Sequence, residues 1–277
     1  MRIVDPHVHI WKNDLAYPWA PETTNPPAED RTPEMLLEAM AVGGVEKTVL
    51  VQVIYYRWDN SYVADAIARY PDKFMAVGRV NPLDPAAPDH LSRWVEEKGI
   101  HGVRLSPSTD ALGDWFRGPL MPPIFARAQE LKVPFLLLTS PSRLADLVPL
   151  LEKHPDLDVV IDHMADCRPG DQEGRRLLMA LARYPRVYVK ISHTWSLSGE
   201  SYPWKDTHGL VEEVYQSFGP QRIMWGTDWP MCLAKAPYTQ PLSVVRDEMK
   251  FIAPQDLEWV LGKTALKLWP FEKKVKR

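Results

Sequence analysis

The chain has 277 residues, 45% of them hydrophobic and 25% charged, the balance of a globular protein rather than of a disordered or fibrous one. Its net charge of -3 offers no basic footprint for nucleic acid, and no apolar run reaches the ~18 residues of a transmembrane helix. Cys167 and Cys232 are the only cysteines and match neither a disulfide framework nor a zinc ribbon. A reducing cytoplasm is therefore the expected compartment, and the amino terminus enters a strand without the features of a signal peptide.

In chain order, β-branched apolar runs predict strands at Arg2 to Ile10, Lys47 to Tyr55, Phe74 to Asn81 and Ile100 to Leu105. Four more follow at Phe135 to Thr139, Asp158 to His163, Val187 to Ser192 and Arg222 to Thr227. Helical spacing fills the gaps. Pro33 to Met40 has Thr32 as N-cap and Pro33 in its first turn. Ile124-Phe125, Ala128 and Leu131 share a face, as do Leu144, Leu147-Val148 and Leu151. So do Leu177-Leu178, Leu181 and Tyr184, and finally Leu210-Val211, Val214 and Phe218. Strands alternating with helices imply parallel strands and right-handed crossovers. Eight such units close as an α/β (β/α)8 TIM barrel, expected to be a single domain over residues 1–277. A doubly wound open sheet is the competing arrangement, disfavoured because no Gly-rich turn follows the first strand.

In the first strand, alternation puts Asp5, His7 and His9 on one face and Val4, Val8 and Ile10 on the other. First and last strands become neighbours when a sheet closes, which brings Asp228 of Gly226-Thr227-Asp228-Trp229-Pro230 toward the two histidines. Two imidazoles and a carboxylate can hold one divalent ion, zinc or manganese. The same trio can work without metal, with Asp228 as general base for water and histidine N–H groups polarising a carbonyl. His163 is a third imidazole at a strand end, while Asp162 is expected to face the barrel wall. Arg104 ends an otherwise apolar strand and can grip a carboxylate bidentately, or else brace the rim as a buried ion pair. Gln52, Tyr55, Thr139, Ser192, His193 and Trp229 are further substrate-binding candidates, and Lys190 alternates with Ser192. All of these fall at the carboxyl ends of strands, where active sites of this fold lie.

Asp5-Pro6-His7-Val8-His9-Ile10-Trp11, Leu50-Val51-Gln52, Gly102-Val103-Arg104, Val160-Ile161-Asp162-His163 and Gly226-Thr227-Asp228-Trp229-Pro230 together resemble the amidohydrolase-2 branch of the amidohydrolase superfamily. Within it they are most similar to the group of pyrone-dicarboxylate and sugar-acid lactonases. The tail Leu261 to Trp269 resembles that group's closing helix, with Thr264 where Asn is usual. The resemblance implies a (β/α)8 barrel in which Asp228 activates water and His7, His9 and His163 polarise a carbonyl or hold metal. Metal-dependent relatives carry a histidine at the end of strand five, where this chain has Leu138-Thr139-Ser140-Pro141. That difference favours the branch whose members can act without metal. A second difference is His193, where relatives commonly have Gly.

The leading expectation is a lactonase acting on a small organic or sugar acid. A metal-dependent decarboxylase of an aromatic or muconate-like acid and a non-catalytic barrel that binds a small acid are the alternatives. The expected partner is a small molecule, with neither nucleic acid nor membrane, and a homodimer is ordinary for such a barrel.

Overall fold

The structure, a computed structural model, describes residues 1–107, 109–110 and 113–271. Eight parallel strands form the barrel: β1 (Val4–Val8), β2 (Lys47–Val51), β3 (Phe74–Val77), β4 (Val103–Leu105), β5 (Phe135–Leu137), β6 (Val159–Ile161), β7 (Val187–Lys190) and β8 (Ile223–Met224). Continuous ladders join β1 to β3 and β4 to β8. Two seams close the ring. Gly78 bridges to Val103 between β3 and β4, and Val8 bridges to Trp229 between β1 and the end of β8. At the second seam Asp228 N donates to His7 O (2.9 Å) and His9 N donates to Trp229 O (2.7 Å). The strand-closure argument that paired His7 and His9 with Asp228 is thus realised in backbone hydrogen bonds.

The main helices are α1 (Pro33–Gly43), α2 (Ser61–Arg69), α3 (Ala87–Lys98), α4 (Met121–Leu131), α5 (Leu144–Lys153), α6 (Gln172–Ala180), α7 (His208–Phe218) and the closing α8 (Thr264–Leu268), with short helical turns at Thr194–Leu197 and Thr239–Ser243. Thr32 caps α1 as expected, accepting from Met35 N, and Gly44 ends that helix in the left-handed region. Leu210, Val211, Val214 and Phe218 of α7 are all buried, as their spacing predicted. Helices α2 and α3 have no counterpart among the predicted ones. The apolar stripe of α3 is thin, with Ala87 and Leu91 as its buried residues, so its period is faint in the sequence. Among the described residues no helix is long and apolar enough to cross a membrane.

Side chains of alternate strand positions fill the lumen: Val4, Val49, Val51, Met75, Val77, Leu136, Val160, Tyr188 and Met224. Trp269 plugs this layer from the amino-terminal side, its Nε1 donating to His101 O (3.1 Å). Between barrel and helices lies the larger apolar core, which includes Val8, Leu50, Leu105, Leu137, Ile161, Val189 and Trp225. Burial of these two layers is the main source of stability.

Strand β1 departs from simple alternation. Pro6 has no N–H to give to the ladder, and the register with β2 shifts between Asp5 and Val8. As a result Val4 faces the lumen while Val8 and Ile10 face the helices. Asp5 therefore leaves the face expected for it and turns away from His7 and His9. It accepts from Thr227 Oγ1 (2.5 Å), Tyr238 OH (3.2 Å) and its neighbour His7 N (3.2 Å). Burial raises its pKa to about 6 against these hydrogen bonds.

Candidate active site

Above the apolar lumen layer, on the carboxyl side, the inward positions become charged. Arg104 comes from β4, Asp162 follows β6, and Lys190 ends β7. Asp162 is fully buried at the centre, with Lys190 Nζ 3.1 Å, Arg104 Nε 3.0 Å and His7 Nδ1 3.4 Å away. The expectation that Asp162 faces the wall is corrected. Val160 points into the lumen, and the residue two further on shares its side. Burial pushes the Asp162 carboxyl up, but Lys190, His7 and Arg104 outweigh it and hold it well below the usual carboxylate range.

His163 reaches the same centre by a different route. It begins a run of left-handed residues (φ 51°), which turns its ring back over the barrel mouth. Asp228 does likewise at φ 58°. Gly226 makes room for this convergence, since a Cβ there would lie 3.2 Å from His7 Cβ and 3.4 Å from Ser192 Cβ. The imidazoles follow one another as His9, His7, His163 and His193, with ring centroids 5.0, 4.5 and 4.5 Å apart. Asp228 is the carboxylate they share. Its Oδ1 is 3.1 Å from His9 Nε2 and 3.7 Å from His7 Nε2, and its Oδ2 is 3.4 Å from His193 Nε2.

Hydrogen positions follow from the partners. The Val51 carbonyl can only accept, so His9 Nδ1 donates to it (2.6 Å) and Nε2 is the atom turned toward Asp228. An ammonium can only donate, so Lys190 Nζ donates to His7 Nδ1 (3.0 Å) and the His7 hydrogen resides on Nε2. Burial, reinforced by Lys190, pushes the His7 pKa down to about 3 and keeps the ring neutral. Burial, together with His7, also holds His163 well below the usual imidazole range, and its Nδ1 bonds Ser192 Oγ at 2.8 Å. Burial pushes the Asp228 carboxyl up, but the hydrogen bond from His9 and the neighbouring imidazoles outweigh it and keep it ionised.

The site also fits a divalent ion by distance. Atoms of His7, His9 and Asp228 lie within 4.8 Å of one another, as do atoms of His163, His193 and Asp228. Ligands ~2.0–2.1 Å from a tetrahedral ion stand ~3.3 Å apart, near the His9–Asp228 and His7–Asp228 separations. His7 Nε2 is a buried atom with no hydrogen-bond partner, as a ligand position requires. Binding there needs the His7 hydrogen to move to Nδ1, where Asp162 Oδ1 is the acceptor on hand.

The other candidates divide. Ser192 acts on His163, and His193 is turned to Asp228. Arg104 is the rim ion pair weighed in the sequence, 6% exposed. Gln52 is fully buried and its Nε2 donates to Asp59 O, bracing the loop after β2, while its Oε1 has no partner. Tyr55 is partly buried and packs edge-on against Trp11 and Trp19. With Leu136 in the lumen and Leu137 among the helices, alternation gives Leu138 the inward place at the end of β5. Thr139 is buried with an unpartnered hydroxyl. Trp229 belongs to the outer core and shares a surface groove with Met35 and Val42 of α1, so its contribution is a backbone carbonyl for His9. Arg79, which follows β3, did not figure among the sequence candidates. The signal was there: it stands two residues beyond Val77, as Arg104 stands at the end of β4.

A closed eight-stranded α/β barrel with imidazoles gathered about one carboxylate at the carboxyl ends of its strands is the framework of a barrel enzyme. The chain belongs to the amidohydrolase family: the Amidohydro_2 model, described as Amidohydrolase, matches residues 4–271. It is 29% identical over 233 residues to an L-fucono-1,5-lactonase of Burkholderia ambifaria, a match covering 82% of this chain and 80% of the relative. A 4-sulfomuconolactone hydrolase of Hydrogenophaga intermedia is 26% identical over 229 residues, covering 82% of this chain and 74% of the relative. Among solved structures, an amidohydrolase from Burkholderia multivorans with bound zinc superposes with a TM-score of 0.80 at 22% identity, over 98% of this chain and 99% of the other.

Proposed function

We propose that the protein opens lactones of small organic or sugar acids by attack of water on the ring carbonyl. The observation that carries this reading is an ionised Asp228 beside the neutral rings of His7 and His163, of which His7 presents an unpartnered N–H at Nε2. The lactone-hydrolysing relatives support the same choice of bond.

In the mechanism, water lodged against Asp228 gives its proton to the carboxylate as its oxygen bonds the carbonyl carbon. Negative charge then develops on the carbonyl oxygen, and His7 Nε2–H is fixed to donate to it because Lys190 occupies Nδ1. His163, held by Ser192, stands ring to ring with His7 and stabilises the same charge. Collapse breaks the ring C–O bond, and the proton on Asp228 passes to the departing alkoxide. Where a divalent ion is bound, His7, His9 and Asp228 hold it, and it supplies Lewis-acid polarisation of the carbonyl and a lower pKa for water. The resemblance implies for the decarboxylase alternative a metal centre that normally includes a strand-five histidine, and alternation gives the inward place there to Leu138. Two buried, unpaired cysteines accord with a reducing cytoplasm as the compartment.

Asp228→Asn tests the reading. The amide keeps the shape and removes the base, so kcat for lactone hydrolysis is expected to fall ~10²–10⁴-fold with folding retained. Full turnover by a folded Asn variant overturns the assignment.

A further inference from the structure

Arg79 is 2% exposed and lies on the inward face set by Val77, beside the charged layer of Arg104, Asp162 and Lys190. Its backbone is clamped, with Asn60 Nδ2 donating to Arg79 O (2.9 Å) and Arg79 N donating to Asn60 Oδ1 (2.8 Å). The Trp58 ring centroid is 5.4 Å from its guanidinium carbon. Yet Nε and Nη1 are buried without an acceptor among the described residues. The carboxylate whose field reaches it, Asp162, is already engaged by Lys190, Arg104 and His7. Its other charged neighbours are Arg104 and Arg57, and burial together with their repulsion lowers its pKa to about 9.

A rigid guanidinium with two idle donors among like charges is unfavourable when alone and favourable once an anion arrives. The planar fork matches a carboxylate better than it matches a hydroxyl. We propose that Arg79 anchors a carboxylate of the substrate, so that this barrel selects lactones bearing a free carboxylate over neutral sugar lactones. The proposal rests on the lactonase reading for the identity of the ring, but its anion site is testable by binding alone.

The experiment is calorimetric titration of isophthalate, a flat dicarboxylate with no bond to hydrolyse, against its neutral diamide. Wild type, Arg79→Met and Arg79→Lys are compared, with thermal melts alongside. Wild type is expected to bind isophthalate and not the diamide. Arg79→Met should weaken isophthalate binding ~30-fold or more, and Arg79→Lys should restore part of it. The ligand-free Met variant should melt no lower than wild type, because an uncompensated buried charge has gone. Equal isophthalate binding by wild type and the Met variant overturns the proposal, as does wild type that treats acid and diamide alike. A Met variant that melts well below wild type yet binds isophthalate as tightly makes Arg79 a strut against Trp58. Should the Met variant fail to fold, the Lys variant and the acid–diamide comparison still decide. A protein that binds isophthalate through Arg79 but opens no lactone sinks the lactonase reading and leaves the anion site intact.

Discussion

Replacing Lys190 with Met separates the two forms that His7 can take. Lys190 Nζ lies 3.0 Å from His7 Nδ1 and 3.1 Å from Asp162 Oδ1, with Trp269 beneath it at 5.8 Å. While the ammonium donates to Nδ1, the ring is a donor at Nε2, suited to an oxyanion and unsuited to a metal. Without it, Nδ1 faces Asp162 Oδ1 at 3.4 Å, an acceptor, so the hydrogen moves to Nδ1 and Nε2 becomes a lone pair. A hydrogen bond to a charged group contributes ~1.5–3 kcal/mol. Zinc must overcome that in the wild type and not in the variant, which tightens zinc binding ~10–100-fold. Asp162 keeps Arg104 at 3.0 Å, so the loss of stability should lie near the lower end of the ~3–5 kcal/mol seen when a buried pair is broken. Zinc calorimetry on chelator-stripped protein, with lactone turnover measured in parallel, reads both effects. Metal-free turnover should drop ~10²-fold as the oxyanion donor is lost. Unchanged zinc affinity together with undiminished turnover would refute the tautomer argument.

Stability should fall on acidification. His7 and His163 are held neutral in the fold, His7 with a pKa of about 3 against an ordinary 6.5. The unfolded chain therefore takes up protons first. The contribution is complete above 6.5 and is lost as pH falls toward 3, and Asp162 and Asp228 lose theirs lower still. Asp5 opposes the trend, since its raised pKa contributes stability below 3.8 that is lost as pH rises through about 6. Urea melts from pH 7.5 to about 4 should show a net fall in midpoint on the acid side, and a flat profile would contradict the burial of neutral imidazoles. Arg104→Met should lower kcat as well as raise KM, because it strips a partner from Asp162, which neighbours both Lys190 and His7. A change confined to KM, read from steady-state rates on a carboxylated lactone, would return Arg104 to simple substrate binding.

The barrel was legible because its strands are apolar, β-branched and evenly spaced, and because polar residues gather at one end of each. His7, His9 and Asp228 could be joined from sequence, since closure of a sheet makes the first and last strands neighbours. What failed was alternation near the strand ends. Pro6 shifts the register and sends Asp5 to the helices, and the left-handed backbone at His163 re-aims a side chain that a period of two would place with Ile161 among the helices. Asp162 was misplaced for the complementary reason: it keeps the period that His163 breaks. Arg79 went unnoticed because a strand-end arginine has no motif, and its idle donors exist only in the packed protein.

The most direct test of the central claim is hydrolysis of a panel of neutral and carboxylated lactones, followed by acid release, on protein stripped with chelator and on protein reloaded with zinc or manganese. Asp228-driven hydrolysis with imidazole donors predicts turnover in the stripped protein, abolished by Asp228→Asn. Turnover that appears only on reloading would contradict it and make His7, His9 and Asp228 metal ligands first.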